Sequence, residues 1–583
     1  MTFPKLRGSL LLLIIPLILV VVVLPVRGSP ESDGIISLDI IGRVLNEHGV
    51  ALPDAEVALL VDGNQPAFNG VPQEANPILT ERDGIFMIEL NIPAVVIREG
   101  ELTVEISKPG FRTTEHQIDQ QDLACNESHC YLRVPDIYLK NLFNAAFFVA
   151  TITFVLVFAL IAFQVFHDTL TAFIGATIML GVSYLLGTNN PDFWILSFER
   201  AITYVDFDVI FLILTLMIVV SIIGRTGVFQ CLALSAYRSA QGNAWFLAII
   251  LMATTALLSA FLNNVTIMLL MAPITIEIAL VLEIKPTALI IPEVFASNIG
   301  GVATLIGDPP NTVIGSYAGV GFNQFLIHMG PIAVISTLAL IAVIYLIYHR
   351  EYQSARQTTS PALLARLEKD AQITEPETLK RSLVVMGLMM FLFFTGDLFH
   401  MPPSVVGLIG ATILLIWVQP NVEEMLREVD WTTLMFFMCL FIVVGGVQEV
   451  GLIQCIADLI AEAAGASALV AALAVIWLSA IASAIVNNIP FTTAALPIAA
   501  YLTRTIPGAT GNVLYWSLSL GANLGGNATY VGSAPNVVAV GILERAGYRM
   551  KFIDFCRVGI PIAIVTIIVP TVWILVRYFL LVF

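Results

Sequence analysis

One stretch constrains this chain more than any other. Glu293 to Asn311 reads EVFASNIGGVATLIGDPPN and sits inside an apolar run. Gly300-Gly301 interrupt a helix there, since glycine costs about 1 kcal/mol per residue against alanine. Pro309-Pro310 interrupt it again, and Asn298, Thr304, Asp308 and Asn311 supply polar groups around the breaks. At membrane depth, irregular polar backbone survives only where protein buries it or it lines a cavity. The stretch therefore reads as a binding site rather than a plain span.

It also has a twin, Gly521 to Asn536, GANLGGNATYVGSAPN. Asn298, Gly300-Gly301, Thr304 and Asn311 recur as Asn523, Gly525-Gly526, Thr529 and Asn536, always 225 residues on. A duplicated broken helix is a pointer to the substrate and ion sites of a secondary transporter. Other landmarks repeat at 224: Asp206, Gly227 and Cys231 as Asp430, Gly451 and Cys455, and Ser259-Ala260-x-x-Asn263-Asn264 as Ser483-Ala484-x-x-Asn487-Asn488. They define a first transmembrane repeat over 141–350 and a second over 381–583, joined by a polar linker over 351–380.

Composition agrees. The chain is 58% hydrophobic and 12% charged, against roughly 45–50% and 25% in soluble domains. With many apolar runs near 20 residues, it reads as a polytopic all-α membrane protein. No GxxxxGK[ST] is present and no His precedes a Glu, so neither a Walker ATPase nor an HExxH zinc site is encoded. The reading is of no enzyme and no cofactor.

The N-terminal region differs in character. Residues 1–28 carry Lys5 and Arg7 before an apolar run, as a signal peptide or signal anchor does. From Glu31 to Lys140 there are 19 acidic and 7 basic residues, so most of the net charge of −16 lies there; this argues against nucleic-acid binding. Alternating segments at 37–40, 56–60, 85–90 and 102–106 predict a small antiparallel β-sandwich over 34–140. Cys125 and Cys130 can close a disulfide in an oxidising compartment, two free thiols being the alternative.

In the membrane part, spans are expected near 141–166, 169–187, 207–224, 285–316 and 325–348, with 244–280 a re-entrant hairpin whose tip carries Asn263-Asn264. Five crossings per half make the second repeat inverted. Arg225, Arg238, Arg350, Lys380, Arg381, Arg427, Arg545 and Lys551 then share one side, which the positive-inside rule makes cytoplasmic. This puts the linker inside and the sandwich outside, in a plasma (inner) membrane.

Each half thus offers a hairpin tip and a broken helix. The candidates for substrate or ion contact are Asn263, Asn264, Thr266, Asn298, Gly300, Gly301, Thr304, Asp308 and Asn311 in the first half. In the second they are Asn487, Asn488, Thr492, Asn523, Gly525, Gly526, Thr529 and Asn536. Amide oxygens, hydroxyls and freed carbonyls suit a dehydrated cation such as sodium, and half-helix N-termini suit an anion. Asparagines that only glue helices together are the structural alternative. Glu293 and Asp308 are intramembrane carboxylates, functional by default; they are candidate proton carriers, with helix packing or capping as the plain alternative.

LSAFLNNVTIMLLMAPIT, SNIGGVATLIGDPPN, SAIVNNIPFTTAALPI and GANLGGNATYVGSAPNVVAVGILERAGY resemble the ion transporter superfamily and, within it, the P-protein/arsenite-permease branch, over 141–583. The resemblance implies two inverted repeats with re-entrant hairpins, a homodimer, and elevator-type transport driven by an ion gradient. By the likeness to divalent-anion/sodium symporters, Asn263, Asn264, Asn298, Gly300 and Thr304 form one sodium site and Asn487, Asn488, Asn523, Gly525 and Thr529 the other. The family's Asp-Asn tips are Asn-Asn here, which puts proton coupling at the tips in doubt. GRVLNEHGVALPDAEVALL, TERDGIFMIEL and KPGFRT resemble the carboxypeptidase-regulatory-like, transthyretin-like domain. Three functions fit the sequence: a sodium-coupled transporter of a small anion or oxyacid, a cation/proton antiporter, and a membrane sensor.

Topology is directly testable. A cysteine at Gln73 should react with an impermeant reagent outside intact cells, and one at Gln357 should not; equal labelling of both would overturn the crossing count.

Overall fold

The computed structural model describes residues 35–580 except 48, 62–66, 69–70, 73–77, 94–101, 109–110, 112, 119–122, 126–128, 356–368, 370–371 and 465–466. The signal segment, within residues 1–34, lies outside the described residues, as do half of the linker and Asn126-Glu127-Ser128, which reads as an N-glycosylation sequon. The chain divides into two units, Met1–Asn141 and Leu142–Phe583.

The first unit is β-structure: β1 Ile35–Asn46, β2 Glu56–Val61, β3 Ala67–Phe68, β4 Val71–Pro72, β5 Ile78–Leu79, β6 Ile85–Pro93, β7 Leu102–Ser107, β8 Thr114–Gln117, β9 Ala124–Cys125, β10 His129–Arg133 and β11 Ile137–Leu139. One sheet has the order β11-β1-β10-β9 with β6 on β1, and a second has β5-β2-β7-β8. Alternate residues of both sheets, among them Leu38, Ile40, Val57, Leu59, Ile88, Val104 and Leu132, share one buried core. The purely antiparallel pairing expected from the alternation is corrected: β1 runs parallel to β10 and to β11. Side-chain alternation reports which face is buried, not the direction of the neighbouring strand. Cys125 and Cys130 face each other across β9 and β10 and are joined by a disulfide.

The second unit is helical. Its first half holds α1 Ala145–Ala162, α2 Asp168–Val182, α3 Phe198–Thr203, α4 Phe207–Arg225, α5 Val228–Ala240, α6 Ala244–Ser259, α7 Asn264–Val281, α8 Thr287–Gly301, α9 Pro309–Ala318 and α10 Phe322–Gln353. Its second half holds α11 Pro376–Gly396, α12 Pro403–Val418, α13 Val422–Glu428, α14 Trp431–Glu449, α15 Leu452–Ala464, α16 Ala468–Ile485, α17 Asn488–Thr505, α18 Val513–Gly525, α19 Ala534–Arg545 and α20 Phe552–Ile574. Nine helices among the described residues are long and apolar enough to cross a membrane.

The polar interruptions end helices where the residue types demand it. α6 stops at Ser259 and α7 starts at Asn264, so Asn263 lies at the tip between two helices. α16 and α17 meet in the same way at Asn487. α8 ends at Gly301 and α9 restarts at Pro309, while α18 ends at Gly525 and α19 restarts at Ala534. Proline suits that restart because the first helical N–H has no intrahelical partner to lose.

α8 and α18 are the centre of the unit: every residue from Ala288 to Gly301 and from Val513 to Gly525 is buried. Glycines let their neighbours come close. A Cβ on Gly300 would strike the Ala256 backbone in α6, and one on Gly525 would strike the Ala480 backbone in α16. The two contacts are repeat-related.

Gly300→Ala and Gly525→Ala should each lower the stability of the detergent-solubilised protein by about 1–3 kcal/mol, the usual cost of overpacking. Gly541→Ala, inside α19 with nothing within 4 Å of its Cβ, should be neutral to stabilising by up to about 1 kcal/mol. Equal melting temperatures for all three variants would show that the close approach is not a constraint.

Candidate functional site

A cavity of about 460 Å³ lies where the polar interruptions converge. Asn263, Asn264, Val265 and Thr266 reach it from one hairpin tip, and Asn488 and Ile489 from the other. Asp308-Pro309 and Ala534-Pro535 reach it from the two broken helices. The first residues of α7, α9, α17 and α19 therefore all border one space. Helix N-termini carry unpaired N–H groups and partial positive charge. Four of them around one cavity make a natural seat for an anion. Arg225 and Glu428, ion-paired at 2.7 Å and both partly exposed, stand at its rim.

The tip asparagines are spent partly on capping. Asn263 Oδ1 accepts from the backbone N–H of Val265 at 2.9 Å and of Thr266 at 3.3 Å. Asn487 Oδ1 accepts from Ile489 at 3.2 Å. Asparagine is among the best N-cap residues, so this role was available from the sequence. Asn264 differs: it is buried, and its side chain hydrogen-bonds the carboxylate of Asp308, which is buried beside it. Ser533 occupies the Asp308 position in the second half, so the carboxylate is present on one side only.

The broken helices solve a backbone problem. Asn311 Nδ2 donates to the carbonyls of Gly301 at 3.0 Å and Thr304 at 2.9 Å. Asn536 Nδ2 donates to Gly526 and Thr529, each at 2.9 Å. Each asparagine closes its own break, and its oxygen is then taken up by the other half. Asn523 Nδ2 donates to Asn311 Oδ1 at 2.8 Å, and Asn298 Nδ2 donates to Asn536 Oδ1 at 2.9 Å. Asn298 Nδ2 also donates to Asn527 Oδ1 at 2.7 Å, and its Oδ1 accepts from Ser533 at 3.2 Å. Thr304 Oγ1 donates to the Ala260 carbonyl, and Thr529 Oγ1 to that of Ala484 at 2.6 Å, tying each break to its own tip.

The sequence groups Asn298 with the tip of its own half. The structure joins it instead to Asn527, Ser533 and Asn536 across the repeats. Asn523 touches both, its Oδ1 accepting from Asn488 Nδ2 at 3.3 Å. Gly300, Gly301, Gly525 and Gly526 act as packing and carbonyl groups. Thr492 is buried with an unpartnered hydroxyl. Glu293 does not border the cavity. It is fully buried, and its carboxylate accepts from Thr255 Oγ1 at 3.1 Å and from the Thr275 hydroxyl. Residues that sequence reasoning passed over are Ser519, Ser533, Arg225 and Glu428. Ser519 lies one helical turn before Asn523, and Ser533 is the repeat mate of Asp308, so both carried a usable signal. No group of three or more metal-ligating side chains is found among the described residues.

Residues 158–521 match the CitMHS family, described as citrate transporter. An uncharacterized transporter of Mycobacterium tuberculosis is 35% identical over 434 residues, 74% of this chain and 99% of that protein. The P protein of Homo sapiens is 31% identical over 517 residues, 76% of this chain and 61% of that protein. Among solved structures, the Alcanivorax borkumensis YdaH transporter covers 70% of this chain and 97% of its own, with a TM-score of 0.47 at 13% identity.

Asn311→Ala should leave the Gly301 and Thr304 carbonyls without a donor, at about 1–3 kcal/mol for a buried unsatisfied group. Asn523→Ala, which removes one of the two donors to Asn311 Oδ1 and leaves Ser519 Oγ at 2.7 Å, should add less than its separate cost when combined with it. Strict additivity in thermal or chemical unfolding would mean that the two breaks are not coupled.

Proposed function

The chain belongs to the CitMHS citrate transporter family, and from that premise we propose a secondary active transporter that carries a small anion or oxyacid, driven by a coupled cation. The family and the relatives are transporters, not enzymes, and the protein is integral to a membrane. The observation that carries the finer reading is the convergence of four helix N-termini and two hairpin tips on one cavity. Di- and tricarboxylates, or an inorganic oxyanion, match that field.

The coupled cation is assigned to the first-half side of the cavity, at Asn264 and Asp308. Both side chains are buried and border the same space, where the Asp308 carboxylate would be the ligand and the Asn264 amide its neighbour. A cation there also offsets the buried carboxylate, which is costly to leave uncompensated. Sodium is the coupling ion of choice because the tip groups Asn263, Asn264 and Thr266 offer neutral oxygens and amides, with Arg225, Glu428 and Asp430 bordering the same cavity. The buried Glu293 carboxylate supports a second reading, a cation/proton antiporter in which Glu293 carries the proton.

The finer architecture belongs to the same proposal. α4 and α14 pack antiparallel: Arg225 at the end of α4 meets Glu428 just before α14, and Glu449 at the end of α14 meets Arg200 just before α4. This supports two inverted repeats. Hairpins and broken helices then move as an elevator against the rest, in a homodimer of the plasma membrane. On this reading the β-unit is an extracytoplasmic transthyretin-like sandwich and 351–380 is a cytoplasmic linker.

Purified protein in proteoliposomes tests the reading. Uptake of labelled citrate and related anions should depend on sodium. Asp308→Asn should weaken the sodium dependence about 10- to 150-fold, as expected for loss of a charged ligand worth about 1.5–3 kcal/mol. Glu293→Gln should leave sodium dependence intact. If Glu293→Gln abolishes flux and removes its pH dependence while Asp308→Asn does not, the antiporter reading replaces this one. Absence of any flux from well-folded protein points to a sensor.

A further inference from the structure

The ends of α4 and α14 carry two ion-pair clusters that the transport site does not use as a pair. Arg225, the last residue of α4, holds Glu428 of α13: Nη2 lies 2.7 Å from Oε1, and Nε lies 3.0 and 3.1 Å from Oε1 and Oε2. Glu424 lies 3.9 Å from Arg225 as well. At the other end Glu449, the last residue of α14, accepts from Arg200 Nε at 2.7 Å and from Tyr204 OH at 2.6 Å.

These clusters are repeat mates. Arg225 corresponds to Glu449, Arg200 to Glu424 and Tyr204 to Glu428, all at an offset of 224. The positions match while the contacts differ: Arg225 holds Glu428 through a fork and Glu424 only at 3.9 Å, whereas Glu449 holds Arg200 through one Nε contact at 2.7 Å and Tyr204 through its hydroxyl. The sign of the charge is exchanged at two of the three positions, and attraction survives because both partners changed sign together. A lone surface ion pair is worth little, but a fork-shaped guanidinium on a carboxylate fixes distance and direction at the first cluster.

Both clusters also lead into the same kind of turn. Two residues beyond Arg225 and Glu449 stand Gly227 and Gly451, at φ +80° and +85°. That left-handed conformation favours glycine. There the chain turns into α5 and α15, the connectors that lead to the two hairpins. Thr374, within the linker, binds the first junction: its N–H donates to the Thr226 carbonyl at 3.0 Å and its hydroxyl to that of Arg225 at 2.9 Å.

We propose that Arg225 with Glu424 and Glu428, and Glu449 with Arg200 and Tyr204, are two permanent anchors of the static frame, and that Gly227 and Gly451 are the pivots at which the moving hairpins begin. The inference rests on the transport reading. It differs from a gate, in which one cluster opens as the other closes. Both clusters are closed in the same structure, yet the cavity is bordered by Arg225 and Glu428 and by none of Arg200, Tyr204 and Glu449. Access differs at the two ends while the fastening does not.

The cluster remote from the cavity is the one to test. Arg200→Glu places two carboxylates together and should slow maximal transport about fivefold or more with KM held within about twofold, the mark of a lost positioning contact rather than lost binding. Arg200→Glu/Glu449→Arg restores attraction with the charge order that the Arg225 cluster already has, and should return the rate to within about twofold of the parent. Wild-type rate in Arg200→Glu, or no rescue by the exchange in folded protein, overturns the anchor. With the four free cysteines replaced, Arg200→Cys/Glu449→Cys joined by a short bifunctional thiol reagent should still transport. Inhibition by the cross-link, reversed when a cleavable linker is cut, would make the cluster a gate. The unfolding temperatures of the single and exchanged variants read the pairing without flux, so a parent with no transport refutes the transport reading while the pairing is still measured.

Discussion

Everything in the membrane unit depends on satisfying backbone that has left its helix. Breaking α8 and α18 exposes carbonyls at Gly301, Thr304, Gly526 and Thr529, in a place where water is scarce and each unpaired group costs free energy. Asn311 and Asn536 answer this with their amide N–H groups. Their oxygens then need donors, and Asn523 and Asn298 of the opposite repeat supply them. Closing the first break therefore requires the second half of the chain, and the reverse. The two repeats fold as one body at this point because neither can complete its hydrogen bonds alone.

That reciprocity leaves the cavity free to be asymmetric. The amide network is nearly two-fold, but Asp308 is matched by Ser533 in the other repeat and Glu293 by Leu518. On the proposed reading, Asp308 is the place for a cation and the converging helix ends the place for an anion. Such a division suits coupled transport, where cation and substrate are bound together and neither alone balances the charge.

Much of this was legible in the sequence, for identifiable reasons. The helix breaks were readable because glycine and proline act locally, and the duplication was readable because one offset joined many landmarks. The capping role of Asn263 and Asn487 was available from residue type and position but was not read there. The parallel pairing of β1 with β10 and β11 was not, since alternation records a face and not a direction. Nor was the partner of Asn298: an amide in a break can close its own loop, touch its own tip or cross to the other repeat, and all three look alike in a string of residues.

The sequence by itself determined that this is a membrane-embedded chain of duplicated halves, each with a polar tip and a broken helix, because hydropathy, glycine, proline and repeat spacing are properties of short segments. Tertiary structure decided which oxygen meets which amide, which four helix ends share a cavity, and which buried carboxylate borders it. Those outcomes depend on contacts between residues more than 200 positions apart, such as Asn298 with Asn536 and Arg225 with Glu428. No local rule sets such contacts; the packing of close-approaching helices does.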